Sequence, residues 1–64
     1  MNQNELRERA QVLKSKVIPY ALMADMVGIS RTMVSLWVKG RKNLGEENYH
    51  KMTKVIENLE KLIK

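Results

Sequence analysis

The sequence predicts a small all-α domain of four helices, and three observations lead to this fold class. Apolar residues recur every three or four positions along most of the 64-residue chain. The three glycines and the single proline fall between these stretches, where helices start or stop. The chain has no cysteine and only one histidine, which excludes a disulfide framework and a His-based zinc site. We therefore expect residues 1–64 to form one domain around a single small core.

The first helix is predicted to begin after Asn2, whose side chain can cap it, with Glu5 three residues later. Its expected buried stripe consists of Leu6, Ala10, Leu13 and Val17. The other face is expected to be solvated and carries Arg7, Glu8, Arg9, Gln11 and Lys14. Pro19 disfavours helical geometry at Ile18, so the helix should end at about Lys16 or Val17.

Two short helices are predicted between residues 20 and 40. Gly28 should end the first of them, because glycine adopts a left-handed terminal conformation without steric cost. Ser30 can cap the second, and Ile29 can pack on Val34 as a hydrophobic staple. Gly40 then ends the second helix. Two helices of this length joined by a three-residue turn with glycine fit the description of a helix-turn-helix.

The apolar pattern of this unit has a small residue, Ala24, four positions before Gly28. The predicted core positions are Ala24, Val27, Ile29, Val34 and Trp37, together with Met23. On these residues the stretch resembles the helix-turn-helix of the phage repressor and Cro family, also called lambda repressor-like domains. The resemblance implies sequence-specific binding of double-stranded DNA by a small transcription regulator. It also implies a dimer on a two-fold symmetric operator with half-sites about one helical turn apart.

The resemblance implies that base contacts come from the first turns of the second helix of this unit. The candidates on its outward face are Arg31, Thr32, Ser35 and Leu36. Arginine can bond bidentately to guanine, serine and threonine can bond to several bases, and an apolar side chain can touch the thymine methyl group. Arg31 is alternatively a phosphate contact or a solvated cation. Leu36 departs from the polar residue common in the family, and either meets a thymine methyl or covers a gap on the protein.

Cations are concentrated around the end of the same helix. Between Met26 and Leu44 the chain has four cations and no acid, which favours contacts to phosphates. The phosphate candidates are Tyr20, Ser30, Lys39, Arg41, Lys42 and Asn43. For Tyr20, packing against the first helix is an equal alternative.

The last helix is expected over about residues 46–63, after Gly45 as its cap. Glu46 and Glu47 suit the positive end of its dipole. Its apolar side is broad enough to close the core, and part of it also has the spacing of a short coiled-coil seam. Because the helix is longer than the other three can cover, an apolar end at Leu59, Leu62 and Ile63 is the predicted homodimer contact, and the same residues can serve both the core and the dimer. The chain is too short for the family's usual fifth helix, which leaves this dimer surface without a family counterpart.

The net charge of +5 and pI near 9.8 favour polyanionic partners. No apolar run approaches the ~18 residues of a membrane span, and the N-terminus lacks the apolar core of a signal peptide. We expect a cytoplasmic protein, bacterial or phage-encoded by the resemblance, with no membrane partner. No paired carboxylates, histidine dyad or phosphate-binding glycine loop indicates an enzyme, and no cofactor, metal or small-molecule ligand is expected. The alternative function is a protein-interaction module, an antirepressor or regulator subunit, that uses the helix-turn-helix as a scaffold.

Overall fold

The computed structural model describes residues 2–63, and within that range it contains four α-helices and no strand. The helices are α1 (Gln3–Ser15), α2 (Tyr20–Val27), α3 (Arg31–Val38) and α4 (Glu46–Leu62). The all-α, four-helix prediction is confirmed. Met1 and Lys64, which the predicted 1–64 domain includes, lie outside the described residues.

Helix α1 is capped at its start as predicted. The Asn2 side-chain oxygen accepts hydrogen bonds from the backbone N–H groups of Asn4 at 2.9 Å and Glu5 at 3.4 Å. These bonds satisfy two of the N–H groups that have no partner inside the helix.

The end of α1 differs from the prediction, because the helix stops at Ser15. The N–H of Val17 donates to the carbonyl of Lys14, and that of Ile18 donates to the carbonyl of Leu13, both at 3.1 Å. A helix end with this pair of bonds requires a left-handed backbone conformation at the residue before Ile18. That residue is Val17, with φ 75°. Val17 therefore leaves the helical repeat and is 88% exposed, so its predicted place in the buried stripe is wrong.

Three residues connect α2 to α3, and the chain bends by 116° between the two helices. Gly28 has φ 90°, and its N–H and that of Ile29 both donate to the carbonyl of Ala24. Ser30 caps α3, since its hydroxyl oxygen accepts from the N–H of Met33 at 3.1 Å. The predicted ends of both helices at this turn are confirmed.

Helix α3 ends with the same type of turn as α1, here with glycine at the left-handed position. Gly40 has φ 79° and donates its N–H to the carbonyl of Trp37 at 3.0 Å, while Arg41 donates to the carbonyl of Leu36 at 2.9 Å. We call residues 39–45, which connect α3 to α4, the basic loop.

The core is formed where α4 packs against α1 and α2, and α3 packs against α1 and α2. Its largest fully buried side chains are Trp37, Leu13, Met23, Met52, Ile56 and Val34. Of the other predicted core residues, Ala24 and Val27 are buried, whereas Ile29 is only partly buried and packs against the edge of the core.

Helix α4 corrects one part of the predicted dimer contact. Leu59 is only 3% exposed and belongs to the core, because it continues the stripe of Met52 and Ile56 at helical spacing. It is therefore unavailable to a second copy. Leu62, one turn further, is 78% exposed, and Ile63 is partly buried against the core.

No single helix within residues 2–63 is long and apolar enough to cross a membrane. Helices α2 and α3 meet that length and composition only when taken together, as a pair bent by 116°. The apolar residues of this pair include Ala24, Val34 and Trp37, which are fully buried in the core.

Candidate nucleic-acid interface

Helix α3 has two distinct sides. Val34 and Trp37 are fully buried on the inner side. The four predicted base-contact residues are more accessible: Arg31 and Thr32 are exposed, and Ser35 and Leu36 are partly buried. Since positions three, four and seven apart share one face of a helix, Thr32, Ser35, Leu36 and Lys39 form a continuous strip. The strip is polar except for Leu36, which is partly covered by the protein.

Exposed cations lie at both ends of this strip, and one of them, Lys39, is its last residue. Arg31 lies at the start of α3, and Lys39, Arg41 and Lys42 follow its end, all with exposed side chains. Within residues 2–63 none of these four side chains forms a hydrogen bond or an ion pair. The two ion pairs found in that range, Arg9–Glu60 at 2.6 Å and Lys51–Glu47 at 3.3 Å, involve α1 and α4. The positive charge around α3 is therefore not neutralised by the protein itself.

Two hydroxyl groups predicted to contact phosphates lie near the α2–α3 unit. Ser30 is exposed, and because its oxygen accepts the capping bond, its proton remains available to a further acceptor. Tyr20 is partly buried against the core, and the Lys14 ammonium lies 5.2 Å from the centre of its ring. Tyr20 thus packs beside α1, which is the alternative that the sequence analysis left open. Burial raises the pKa of its hydroxyl, which remains a proton donor at neutral pH.

Arg7, expected on a solvated face, is buried and is 8% exposed. Its Nε donates to the carbonyl of Trp37, and Nη1 donates to Oδ1 of Asn4 at 2.7 Å. Its Nη2 donates to the carbonyl of Lys42 at 3.0 Å and to Oδ1 of Asn43 at 2.6 Å. The guanidinium also lies 5.9 Å from the centre of the Trp37 ring. The side-chain oxygen of Asn43 is therefore occupied, which leaves its amide nitrogen for the predicted phosphate contact.

Gln3 ties the same loop to α1. Its Oε1 accepts from the indole N–H of Trp37 at 2.8 Å and from the backbone N–H of Leu44 at 3.3 Å. Its Nε2 donates to the carbonyl of Leu44 at 3.1 Å. We call Gln3 and Arg7, with the bonds they make to residues 37–44, the α1 brace.

Sequence reasoning missed the α1 brace, although one signal for it was present. Gln3 and Arg7 are four residues apart and share a face of α1. Arg7 also lies next to Leu6 and three residues before Ala10, so it borders the buried stripe. Local sequence patterns do not give the position of the basic loop, which brings its acceptor oxygens within hydrogen-bond distance of Gln3 and Arg7.

No group of three or more His, Cys, Asp or Glu side chains that could hold a metal ion occurs in the part of the chain that the structure describes. The feature that stands out is the strip on α3 with its flanking cations. Comparisons of the chain with protein-family models, with curated proteins and with solved structures give no match.

Proposed function

We propose that this protein binds double-stranded DNA sequence-specifically, as a small regulator of transcription of the repressor and Cro type. The observation that carries the proposal is the exposed strip of α3, flanked at both ends by cations that no acid neutralises. A surface of this kind matches the electrostatic footprint of a DNA-binding helix.

The arrangement of α2 and α3 supports the proposal. Each helix has eight residues, three residues connect them, and the bend of 116° lies within the ~90–120° typical of a helix-turn-helix. In such units the second helix lies in the major groove while the first crosses the backbone. We therefore assign α3 to the groove and α2 to the phosphates beside it.

Each residue of the strip, and each polar or charged residue beside it, has a separate proposed role. Arg31 donates to the N7 and O6 of guanine, and Thr32 and Ser35 bond to base edges. Leu36 touches the methyl group of thymine, which is a use for an apolar side chain on an otherwise polar strip. Lys39, Arg41, Lys42 and the Asn43 amide contact phosphates and set the register of α3. The hydroxyl groups of Ser30, at the start of α3, and of Tyr20, at the start of α2, donate to further phosphates.

The protein is further proposed to bind as a homodimer on a two-fold symmetric operator. Leu62 supports this step, because it is 78% exposed in the last turn of α4. An apolar side chain at the same place in a second copy would remove both from water in a two-fold contact.

The proposal is tested by selecting ligands from random-sequence duplex DNA with the purified protein and sequencing the bound pool. The winning duplex is then titrated at several salt concentrations. We expect an enriched, two-fold symmetric motif. A pool without a motif, bound only at low salt, would contradict the proposal and favour a protein partner for the basic surface.

Variants separate base contacts from phosphate contacts. Arg31→Ala or Ser35→Ala should cost about 1–3 kcal/mol and relax the preference at one base position. Lys42→Ala should weaken binding to all duplexes and make the negative slope of log K against log salt shallower by about 0.9. Lys54→Ala removes an exposed cation from α4, outside the α2–α3 unit, and serves as the matched control with an unchanged slope.

A further inference from the structure

We propose that Arg7 is a positioning residue for DNA binding, which holds the basic loop in the conformation that presents Lys39, Arg41 and Lys42 to phosphates. Arg7 itself is 8% exposed, and the proposed role requires no contact between its side chain and DNA. The part of this inference that concerns DNA rests on the proposed function. The part that concerns the loop can be measured on the free protein.

The hydrogen bonds of Arg7 reach from the end of α3 to the middle of the basic loop. Its Nε bonds the carbonyl of Trp37, where α3 ends, and its Nη2 bonds both the carbonyl of Lys42 and the side chain of Asn43. Its Nη1 is anchored on Asn4 of α1. One rigid, planar group thus fixes two backbone carbonyls, one at the end of α3 and one in the basic loop, five residues apart, to the first turns of α1.

The charge of Arg7 has a second effect at the same place. All four of its hydrogen-bond acceptors are uncharged oxygens, namely two carbonyls and two side-chain amides. The guanidinium lies at the carbonyl end of α3, where the helix dipole is negative and would repel a phosphate. Arg7 offsets this negative end, so that the loop cations act on a neighbouring phosphate without opposition from the helix.

A loop that is already ordered in the free protein loses less conformational entropy when it binds. The basic loop has no helix or strand between Lys39 and Gly45, and its order depends on the turn at Gly40 and on the α1 brace. Loosening the loop should therefore reduce affinity even when all of its cations remain.

The deciding variant is Arg7→Lys, which keeps the charge but cannot reproduce the planar set of hydrogen bonds. Amide hydrogen exchange of the free variant is compared with that of the wild type. We expect exchange at the bonded amides of Gly40, Arg41 and Leu44 to be about tenfold faster, while Val34 in α3 is unchanged. A uniform acceleration at all amides would show a merely structural role and overturn the proposal.

DNA binding of the same variant is measured on the selected duplex across a range of salt concentrations. We expect an affinity about five- to tenfold lower with the salt slope unchanged, because no phosphate contact is removed. If the negative salt slope became shallower by about one, Arg7 would contact a phosphate directly, which would overturn the positioning role.

Arg9→Lys provides the matched control, since it makes the same chemical change two residues further along α1, on a different face of the helix. Arg9 bonds Glu60 of α4 and makes no hydrogen bond to the basic loop, so loop exchange and DNA affinity should both stay at wild-type values. Should Arg7→Lys fail to fold, Asn4→Ala removes the anchor of Nη1 from an exposed position and should accelerate the same loop amides to a smaller extent.

The two proposals fail in different ways. If wild-type protein binds no duplex while Arg7→Lys still loosens the loop, the proposed function is wrong and the role of Arg7 in binding falls with it. If the wild type binds a defined motif and the loosened variant binds it equally well, the proposed function stands and the inference about Arg7 is wrong.

Discussion

At the scale of single residues, the most unusual backbone is that of Val17. It adopts φ 75°, a region in which the β-carbon of an L-residue is crowded, and β-branching adds to the crowding. Its side chain is 88% exposed, so burial contributes little in return. Val17 therefore lowers the stability of the turn that it completes.

Val17→Gly should increase the free energy of unfolding by about 0.5–1 kcal/mol. Glycine removes a left-handed penalty of ~1–2 kcal/mol and adds an entropic cost of ~0.5–1 kcal/mol in the unfolded chain. Urea denaturation followed by circular dichroism measures the change. Val12→Gly is the control, because Val12 is also exposed but lies within α1, where glycine should destabilise by a similar amount. Equal losses in both variants would contradict the strain assigned to Val17.

The indole N–H of the buried Trp37 needs a hydrogen-bond acceptor, and Gln3 provides it. Gln3→Ala leaves its indole N–H without an acceptor in the core, which should cost about 1–3 kcal/mol of stability. Thermal unfolding is a suitable measurement. Gln11→Ala on the same helix should change stability by less than about 0.5 kcal/mol, since Gln11 is exposed and makes one long bond of 3.4 Å. A loss in Gln3→Ala no larger than in the control would argue against the importance of this bond.

At the scale of elements, the connection between α2 and α3 sets how the proposed reading helix is presented. Gly28 has φ 90°, and a β-carbon there would meet no atom within 4 Å. The cost of a side chain at this position is therefore purely a backbone cost.

Gly28→Ala should destabilise the protein by about 1–2 kcal/mol through the left-handed conformation alone. Gly45→Ala is a matched control, because its surroundings are equally open while its φ is −64°. The control should remain within about 0.5 kcal/mol of the wild type, because the poorer helix cap that alanine makes is offset by the lower entropy of the unfolded chain. Equal values for the two variants in chemical denaturation would refute the backbone explanation.

The sequence was sufficient for the number of helices and for most of their ends, except the end of α1, and it was insufficient for the contacts between helices and the basic loop. Helix caps at Asn2 and Ser30 and the stop at Gly28 follow from local chemistry, and the structure has them as predicted. The apolar stripe of the first helix predicts a solvated face for Arg7, and the structure buries it instead. Three of its four acceptors lie 30 to 36 residues away, and local patterns carry no information about them. Leu59 was misplaced for a related reason, since the length of α4 that the other helices cover depends on how they pack.

At the scale of the whole molecule, the exposed end of α4 bears on the oligomeric state. If two copies associate through Leu62, Leu62→Glu should shift the protein toward monomer and weaken binding to a two-fold symmetric duplex. Sedimentation velocity over a range of concentrations measures the first effect. Val12→Glu, at another exposed apolar position, should leave the sedimentation profile unchanged. A wild type that is monomeric both free and on the duplex would exclude this dimer.

The α1 brace also bears on the order in which the chain folds. The first turns of α1 bond partners 30 to 47 residues later, from Trp37 to the Tyr49 hydroxyl that donates to the carbonyl of Asn2. Closing such large loops is entropically slower than forming the local contacts of α2 with α3. Docking of the first turns of α1 is therefore expected late in folding. The same contacts, between the start of α1 and residues 37–49, are where the native protein would open first. A duplex that held the basic loop in the conformation fixed by the α1 brace would slow that opening. Bound DNA would therefore lower the unfolding rate of the protein.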